Sequence, residues 1–212
     1  MLNTNTRTVF EPEHELFRDQ VRKFLKQAAV PHLDRWEAEG IVDPDFWMAC
    51  GEAGLLCPTV PEAYGGLGTD YRYNAIIDEE LSYIGCSAGV VLQSDVAVDY
   101  LVDYASQELR ERWLPPMISG EAISAIAMTE PGTGSDLQGI KTTARRDGSD
   151  YIVNGSKTYI TNGQHADIIC ARSGVQYFGR RACRISLSYG KAAARTAEHC
   201  GMRASRRTAG TG

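Results

Sequence analysis

The chain has 212 residues, of which 43% are hydrophobic and 23% charged, with a formal net charge of -5. This length allows one or two globular domains with a substantial buried core. No apolar run approaches the roughly 18 residues of a membrane span, and the N-terminus lacks an apolar signal core, so we expect a soluble chain that stays in the cytoplasm.

The cysteines and histidines give no sign of a metal site. None of the six cysteines is spaced as C-x-x-C, and the four histidines do not cluster with them, so neither zinc nor a disulfide framework is indicated. We therefore expect free thiols and no bound metal.

The first segment, residues 11–30, carries apolar residues three and four positions apart, which predicts an amphipathic helix. Pro12 suits its first turn and Pro31 stops it. The apolar face is formed by Phe17, Val21, Phe24 and Ala28, widened by Leu16 and Leu25. A face of this kind needs a packing partner, so more helices are expected.

Four further signals follow in chain order. Residues 33–39 predict a short helix, and Asp43 caps a third helix. A loop over residues 55–70 is rich in Pro and Gly and cannot continue a helix. Asp70 then caps a helix that runs through Ile84.

The last part of the helical region carries two more helices. Ser87 begins one that is rich in valine, and its apolar stripe is more typical of core than of a pocket. Ser106 opens a short charged helix in which Pro115 and Pro116 disrupt further regular turns. Gly120 marks the end of this domain.

After Gly120 the pattern changes to short segments rich in Thr, Ile, Val and Tyr between turn residues, which predicts strands. The predicted strands are residues 122–129, 141–146, 150–154, 157–161 and 166–170. The pairs Asp147-Gly148 and Asn154-Gly155 are hairpin signals, so at least two antiparallel strand pairs are expected. Helices first and a sheet second predict an α+β fold.

The charge changes sign after Cys170. Residues 171–212 hold eight Arg, one Lys and one Glu, a net +8, whereas the preceding residues hold 13 basic and 26 acidic groups, a net -13. The basic part has no Lys/Arg stripe at helical spacing and no aromatic RNA-binding motif, so we expect a disordered tail rather than a nucleic-acid arm. The expected organisation is a helical domain over 1–120, the first part of an antiparallel β domain over 121–170, and an aberrant tail over 171–212.

The stretch from Ile126 to Gly139 reads IAMTEPGTGSDLQG and ends a predicted strand in small and hydroxyl residues. Its glycines and Pro131 force a loop with approachable backbone N–H groups, which suits phosphate or heterocycle oxygens. Glu130 and Asp136 would repel a pyrophosphate, so they must point outward or cap neighbouring backbone. A plain turn is the alternative, because the loop lacks both dinucleotide and nucleoside-triphosphate glycine spacings.

Two strings carry a family resemblance. AMTEPGTGSDLQG resembles the first signature of the acyl-CoA dehydrogenase family, and the longer stretch AIAMTEPGTGSDLQGIKT is most similar to its long-chain branch. KTYITNG, residues 157–163, resembles the family's following flavin-contact strand. The resemblance covers residues from about Glu11 to Cys170, which correspond to the helical N-terminal domain and the start of the middle β domain. It implies that the family's large C-terminal helical domain is missing here.

The resemblance implies an FAD site in the β domain. The residues that would contact the cofactor are Ile126, Ala127, Met128, Thr129, Gly134, Ser135, Tyr159, Ile160 and Thr161. Ser135 would also approach the CoA thioester, Tyr159 would lie at the flavin's dimethylbenzene side, and Thr161 would lie near N5. Taken alone, Tyr159 would be an ordinary sheet aromatic and Thr161 a strand hydroxyl. Lys157 and Asn162 are expected to serve the turn and the sheet.

The reaction implied by the resemblance is α,β-dehydrogenation of an acyl-CoA thioester, as in fatty-acid β-oxidation. A carboxylate takes the α proton while the β hydride passes to FAD. The family's Glu base comes from the C-terminal domain, so no residue of this chain is assigned as catalytic. Glu130 is expected to point away from the cofactor, and Glu80 to be a satisfied surface or interhelix group.

The expected partners also follow from the resemblance. They are an acyl-CoA substrate and an electron-transfer flavoprotein as acceptor, with oxygen as the alternative acceptor; no nucleic acid is expected, nor the family's homotetramer. Two functions stay open at this point. One is an FAD-dependent acyl-CoA dehydrogenase, and the other is a catalytically silent truncated or frame-shifted fragment of such an enzyme.

Overall fold

The fold is α+β, as the sequence predicts, with helices in the first half and a sheet in the second. A computed structural model describes the backbone of residues 7–147, 150–177, 180–189 and 201–204, and the side chains of residues 7–147 and 151–173. Two compact units, Met1–Ala122 and Ile123–Gly212, are called here the helical unit and the sheet unit. None of the helices in the described residues is long and apolar enough to cross a membrane.

The helical unit begins with three helices close to the predicted positions. They are α1, Pro12–Ala28, α2, Leu33–Glu39, and α3, Pro44–Glu52. Gly40 ends α2 in the left-handed conformation, with its N–H bonded to the Trp36 carbonyl. Asp43 precedes α3 without a capping hydrogen bond, because its carboxylate accepts from Arg35 instead.

The second group of helices is α4, Tyr71–Tyr83, α5, Val98–Tyr104, and α6, Gln107–Ser119. Asp70 and Ser106 cap α4 and α6 through their side chains, as predicted. The helix predicted to begin at Ser87 begins three residues later and contains a π-helical segment, Leu92–Ala97, immediately before α5.

The prediction that Pro115 and Pro116 would disrupt α6 is wrong, because the helix runs through both of them. Each proline removes one N–H donor to the carbonyl four residues earlier. Those carbonyls belong to Glu111 and Arg112, which are exposed, so water can satisfy them. The buried side chains of Leu114 and Met117 hold the helix in place on its other face.

Buried and partly buried ion pairs join α1 to α4. Arg18, whose side chain is 3% exposed, donates to Glu79 at 2.7 Å and to Glu80 at 3.4 Å. Arg22 donates to both oxygens of Glu80, at 2.8 and 2.9 Å. Glu80 is therefore the interhelix group that the sequence predicts, and it is committed to structure.

The sheet unit is built around one long strand. The strands are β1, Ser124–Ala127, β2, Thr143–Asp147, β3, Asp150–Asn154, β4, Ile168–Tyr177, β5, Arg180–Tyr189, and β6, Gly201–Ala204. β4 pairs in parallel with β1 and then β2, and it pairs antiparallel with β5 along its whole length. β3 pairs antiparallel with β2 and β6. The side chains of Ala125, Ala127, Ala166, Ile169 and Ala171 form a small core against β1 and β4.

Two of the strand-region predictions are wrong. Residues 157–161 form an irregular segment rather than a strand. Asn154-Gly155 makes no hairpin; a Cβ at Gly155 would lie 2.1 Å from the Thr142 hydroxyl, so close packing explains this glycine better than a turn does. The β2–β3 hairpin predicted at Asp147-Gly148 is present, although its two connecting residues lie outside the described ones.

The described backbone continues past Cys170, where the ordered β domain was predicted to end. Residues 171–177, 180–189 and 201–204 pair in β4, β5 and β6, in the region where the sequence predicts a disordered tail. The sequence signal for β5 was missed: apolar or aromatic residues occupy every second position and alternate with polar ones, as in a strand. These residues are Cys183, Ile185, Leu187 and Tyr189. Residues 178–179, 190–200 and 205–212 lie outside the described residues.

A carboxyl pair links α4 to the π-helical segment. Asp95 accepts hydrogen bonds from Tyr71 Oη at 3.0 Å and from Asn74 Nδ2 at 2.6 Å. Asp78, two turns along α4 from Tyr71, is hydrogen-bonded to the same carboxylate. Burial, together with Asp95, raises the pKa of Asp78 from 3.8 to about 8.

This pair predicts a pH dependence of stability in the helical unit. The stability from protonated Asp78 is fully present below pH 3.8 and is lost as the pH rises through about 8. We expect the unfolding temperature to fall across that window, and Asp78→Asn to remove much of the fall. Tryptophan fluorescence measures it, since Trp36, Trp47 and Trp113 all lie in the helical unit. Asp45→Asn, an exposed control, should keep the wild-type slope; an unchanged slope in Asp78→Asn would contradict the assignment.

Candidate functional site

The loop that follows β1 is held by a tight turn. Glu130 and Thr133 exchange backbone hydrogen bonds at 2.9 and 3.0 Å, and Asp136 accepts from the Gln138 N–H at 3.0 Å. Beyond this turn, a Cβ added at Gly134 would meet no heavy atom within 4 Å, and Ser135 is exposed. Among the described residues, the amides of Gly134 and Ser135 meet no protein acceptor. The loop therefore offers two donors on an open surface, as a ligand with phosphate or heterocycle oxygens requires.

The Glu130 carboxylate is buried and fully engaged. It accepts from the Lys141 N–H at 2.7 Å, the Thr142 N–H at 3.0 Å, the Thr142 hydroxyl, and Lys157 Nζ at 3.0 Å. Burial raises the pKa of this carboxyl, but these hydrogen bonds outweigh burial and lower the pKa to about 2. The prediction that Glu130 caps neighbouring backbone is thus confirmed, and Asp136 does the same for its own turn.

The irregular segment 157–163 lies beside β1 and the loop. Three contacts join them: Lys157 Nζ to the Met128 carbonyl at 2.9 Å, Thr158 N–H to the Thr129 carbonyl at 3.0 Å, and Asn162 Nδ2 to the Ser124 carbonyl at 3.1 Å. The two motif strings are therefore brought together in space. Lys157 and Asn162 hold the segment in place, which is the role that the sequence predicts for them.

The predicted cofactor-contacting residues differ in exposure. Gly134, Ser135, Tyr159 and Thr161 are exposed; Ile126, Met128, Thr129 and Ile160 are half-buried; Ala127 is buried. Ala127 and Ile160 contribute to the small alanine-rich core, so their side chains are structural. Tyr159 is 96% exposed and has φ of 56°, a strained conformation for an aromatic residue.

Thr142 is the residue of this network that sequence reasoning missed. The sequence places it in the predicted strand 141–146 with no role at the site, whereas in the structure it orients Glu130 through its N–H and its hydroxyl. The Glu130–Lys157 pair could be found from the sequence. Glu130 is an acidic residue in one motif string and Lys157 is the basic residue of the other, and the two strings resemble parts of one site. Thr142 had none, since a threonine before a strand is ordinary.

The sheet unit offers no free buried carboxylate among its described side chains. Glu130 is saturated, Asp136 caps its turn, and Asp167 accepts from the Ile123 N–H at 3.1 Å. Asp147 is exposed at the hairpin end of β2. A general base needs a carboxylate that is free to take a proton from the substrate, and the four hydrogen bonds of Glu130 commit this group to the structure instead.

Family comparisons agree with the two motif strings. The family model described as acyl-CoA dehydrogenase, N-terminal domain, matches residues 11–121. The model for the acyl-CoA dehydrogenase middle domain matches residues 125–187, and so extends beyond Cys170, where the sequence resemblance was predicted to stop.

Individual relatives and solved structures that are similar to the chain are also acyl-CoA dehydrogenases. The chain is 45% identical over 164 residues to the long-chain specific acyl-CoA dehydrogenase, mitochondrial, of Sus scrofa, which covers 77% of this chain and 38% of the relative. An acyl-CoA dehydrogenase from Geobacillus kaustophilus superposes with a TM-score of 0.83 at 43% identity, over 89% of this chain and 50% of that one. A glutaryl-CoA dehydrogenase from Mycobacterium smegmatis, in complex with FADH2, gives 0.78 at 27% identity, over 87% and 47%.

These comparisons cover only part of each relative. The chain spans about two fifths of the length of the curated relatives and about half of the solved chains. The likeness therefore concerns the helical N-terminal domain and the middle domain.

The packing of Gly155 on Thr142 gives a stability prediction. Gly155→Ala should destabilise the sheet unit by about 1–3 kcal/mol, since overpacking costs that much and the new methyl would displace Thr142 from Glu130. Gly132→Ala, where nothing lies within 4 Å, should change stability by less than about 0.5 kcal/mol. Native-state hydrogen exchange of the β2 and β3 amides measures both. Equal effects of the two substitutions would contradict this packing.

Proposed function

The chain belongs to the acyl-CoA dehydrogenase family, and we propose that its sheet unit forms the flavin side of a site for FAD-dependent α,β-dehydrogenation of acyl-CoA thioesters. The observation that carries the proposal is the pairing of the 126–139 loop with the 157–163 segment. Three hydrogen bonds hold these two stretches side by side, two from Lys157 Nζ to the Met128 carbonyl and Glu130, and one from the Thr158 N–H to the Thr129 carbonyl. Open backbone donors lie at the end of the loop.

The residues present fit a flavin. Gly134 leaves open space where a side chain would otherwise block approach, and the Gly134 and Ser135 amides are available as donors. The half-buried Thr129 adds a hydroxyl, and the exposed Tyr159 adds an aromatic face on the adjacent segment. When bound, FAD would supply the acceptor for the substrate's β hydride. Ser135, at the exposed end of the loop, is proposed to meet the thioester side of the substrate.

The proposed substrate is a fatty acyl-CoA, and the proposed acceptor of the electrons is an electron-transfer flavoprotein. Support for the first comes from the long-chain specific relative at 45% identity. In this proposal the described residues of the sheet unit bind and orient the cofactor and substrate but supply no α-proton base, and the engagement of Glu130 supports that assignment. We therefore propose that the chain by itself is catalytically silent, because general-base catalysis contributes about 10²–10⁴ in rate.

An anaerobic titration of the purified full chain tests both parts of the proposal. We expect added FAD to bind, measured by the change in its fluorescence, and a long-chain acyl-CoA to leave the oxidised flavin band unbleached. Absence of FAD binding would overturn the flavin site. Prompt bleaching that depends on the protein would instead show that this chain contains a base.

Thr129 provides a sharper test of the flavin site. Thr129→Val keeps the shape of the side chain but removes the hydroxyl, so FAD binding should weaken by several-fold, about the effect of one hydrogen bond. Thr143→Val is the matched control, since Thr143 is exposed on β2 within the same unit. Equal FAD affinities of the two variants would remove Thr129 from the site.

A further inference from the structure

Lys157 and Glu130 form a nearly dry ion pair next to the proposed site. Their side chains are 8% and 5% exposed, and Nζ lies 3.0 Å from Oε1. A buried ion pair gains little stability over well-packed apolar residues, since desolvation offsets most of the attraction. Here three further donors from Lys141 and Thr142 fix the carboxylate, so the position of the ammonium is closely determined.

The ammonium has a second partner, the Met128 carbonyl at 2.9 Å. A peptide group is planar, and its C=O and N–H point in opposite directions. By binding the Met128 carbonyl, Lys157 fixes the orientation of the whole Met128–Thr129 peptide. The N–H of that peptide belongs to Thr129, and it is therefore directed away from Lys157.

The next peptide is held from the same segment. The Thr158 N–H donates to the Thr129 carbonyl at 3.0 Å, immediately after the Lys157 contact. Thr129 is thus fixed on both sides, by a side-chain contact at the preceding carbonyl and a backbone contact at its own carbonyl. Of these two contacts, only the first depends on a particular side chain.

On the basis of the proposed function, we infer that Lys157 and Glu130 are positioning residues for the flavin. Lys157 sets the Met128–Thr129 peptide so that the Thr129 amide and hydroxyl are presented to the cofactor, and Glu130 holds the Lys157 ammonium in place. Neither residue needs to touch the flavin. The pair acts through Thr129, and its loss affects the cofactor more than it affects the fold.

The test compares Lys157→Met with Val153→Ala in the full chain. Lys157→Met removes the contacts to the Met128 carbonyl and to Glu130 but keeps an unbranched apolar side chain. Val153→Ala removes buried apolar atoms from a separate cluster, where Val153 packs with Ala144, and leaves the Lys157 contacts intact. Three quantities are measured for each variant: the unfolding temperature, the FAD dissociation constant by fluorescence titration, and the FAD-free amide exchange of residues 126–135.

We expect Lys157→Met to weaken FAD binding by roughly tenfold or more, the effect of losing a charge-assisted hydrogen bond, and to speed exchange in 126–135. Val153→Ala should lower the unfolding temperature but change FAD affinity and exchange in 126–135 much less, and Lys157→Arg should recover part of the affinity. Equal FAD affinities and equal exchange in Lys157→Met and Val153→Ala would overturn the inference.

Failure of the proposed function is distinguishable from failure of this inference. If the wild-type chain binds no FAD, the flavin site is wrong, and the exchange comparison still decides the role of Lys157. Faster exchange in Lys157→Met alone would then support its control of the Met128–Thr129 peptide, and equal exchange would refute it.

Discussion

The geometry of the sheet unit depends on the burial of one carboxylate. Glu130 enters the interior as an anion only because three kinds of donor reach it: backbone N–H groups, a hydroxyl and an ammonium. These donors come from two separate stretches of chain, residues 141–142 just before β2 and the 157–163 segment. Satisfying this single charge therefore joins the loop after β1 to the segment that follows β3.

The hydrogen bonds that satisfy Glu130 also limit its possible role in the reaction. A carboxylate with four hydrogen bonds and a pKa of about 2 stays ionised at neutral pH and has little tendency to take a proton from carbon. Under the proposed function, the residues that face the flavin and the residue that abstracts a proton must then be different. The proposal assigns only the flavin-facing surface to the described sheet residues, so it treats cofactor binding and turnover as two properties to be measured separately.

How far the sequence predicted the structure depends on the range of the interactions involved. α1 and α2 follow from apolar spacing and end signals within a few residues, and the β2–β3 hairpin follows from its turn dipeptide. Pro115 and Pro116 were misjudged because tertiary packing of Leu114 and Met117 overrides a local breaker. β5 was missed because arginine-rich composition concealed an alternation of period two.

The 157–161 segment illustrates that a motif string can indicate which residues lie near a site without predicting their backbone conformation. Its Thr, Tyr and Ile have high β propensity, yet the stretch makes irregular contacts, because Lys157 and Thr158 both turn toward carbonyls at the end of β1. A regular strand would alternate its hydrogen bonds and leave one of those carbonyls free. The left-handed conformation of Tyr159 follows directly after these contacts and directs its ring into solvent. The departure from strand geometry is thus what exposes the aromatic residue beside the loop.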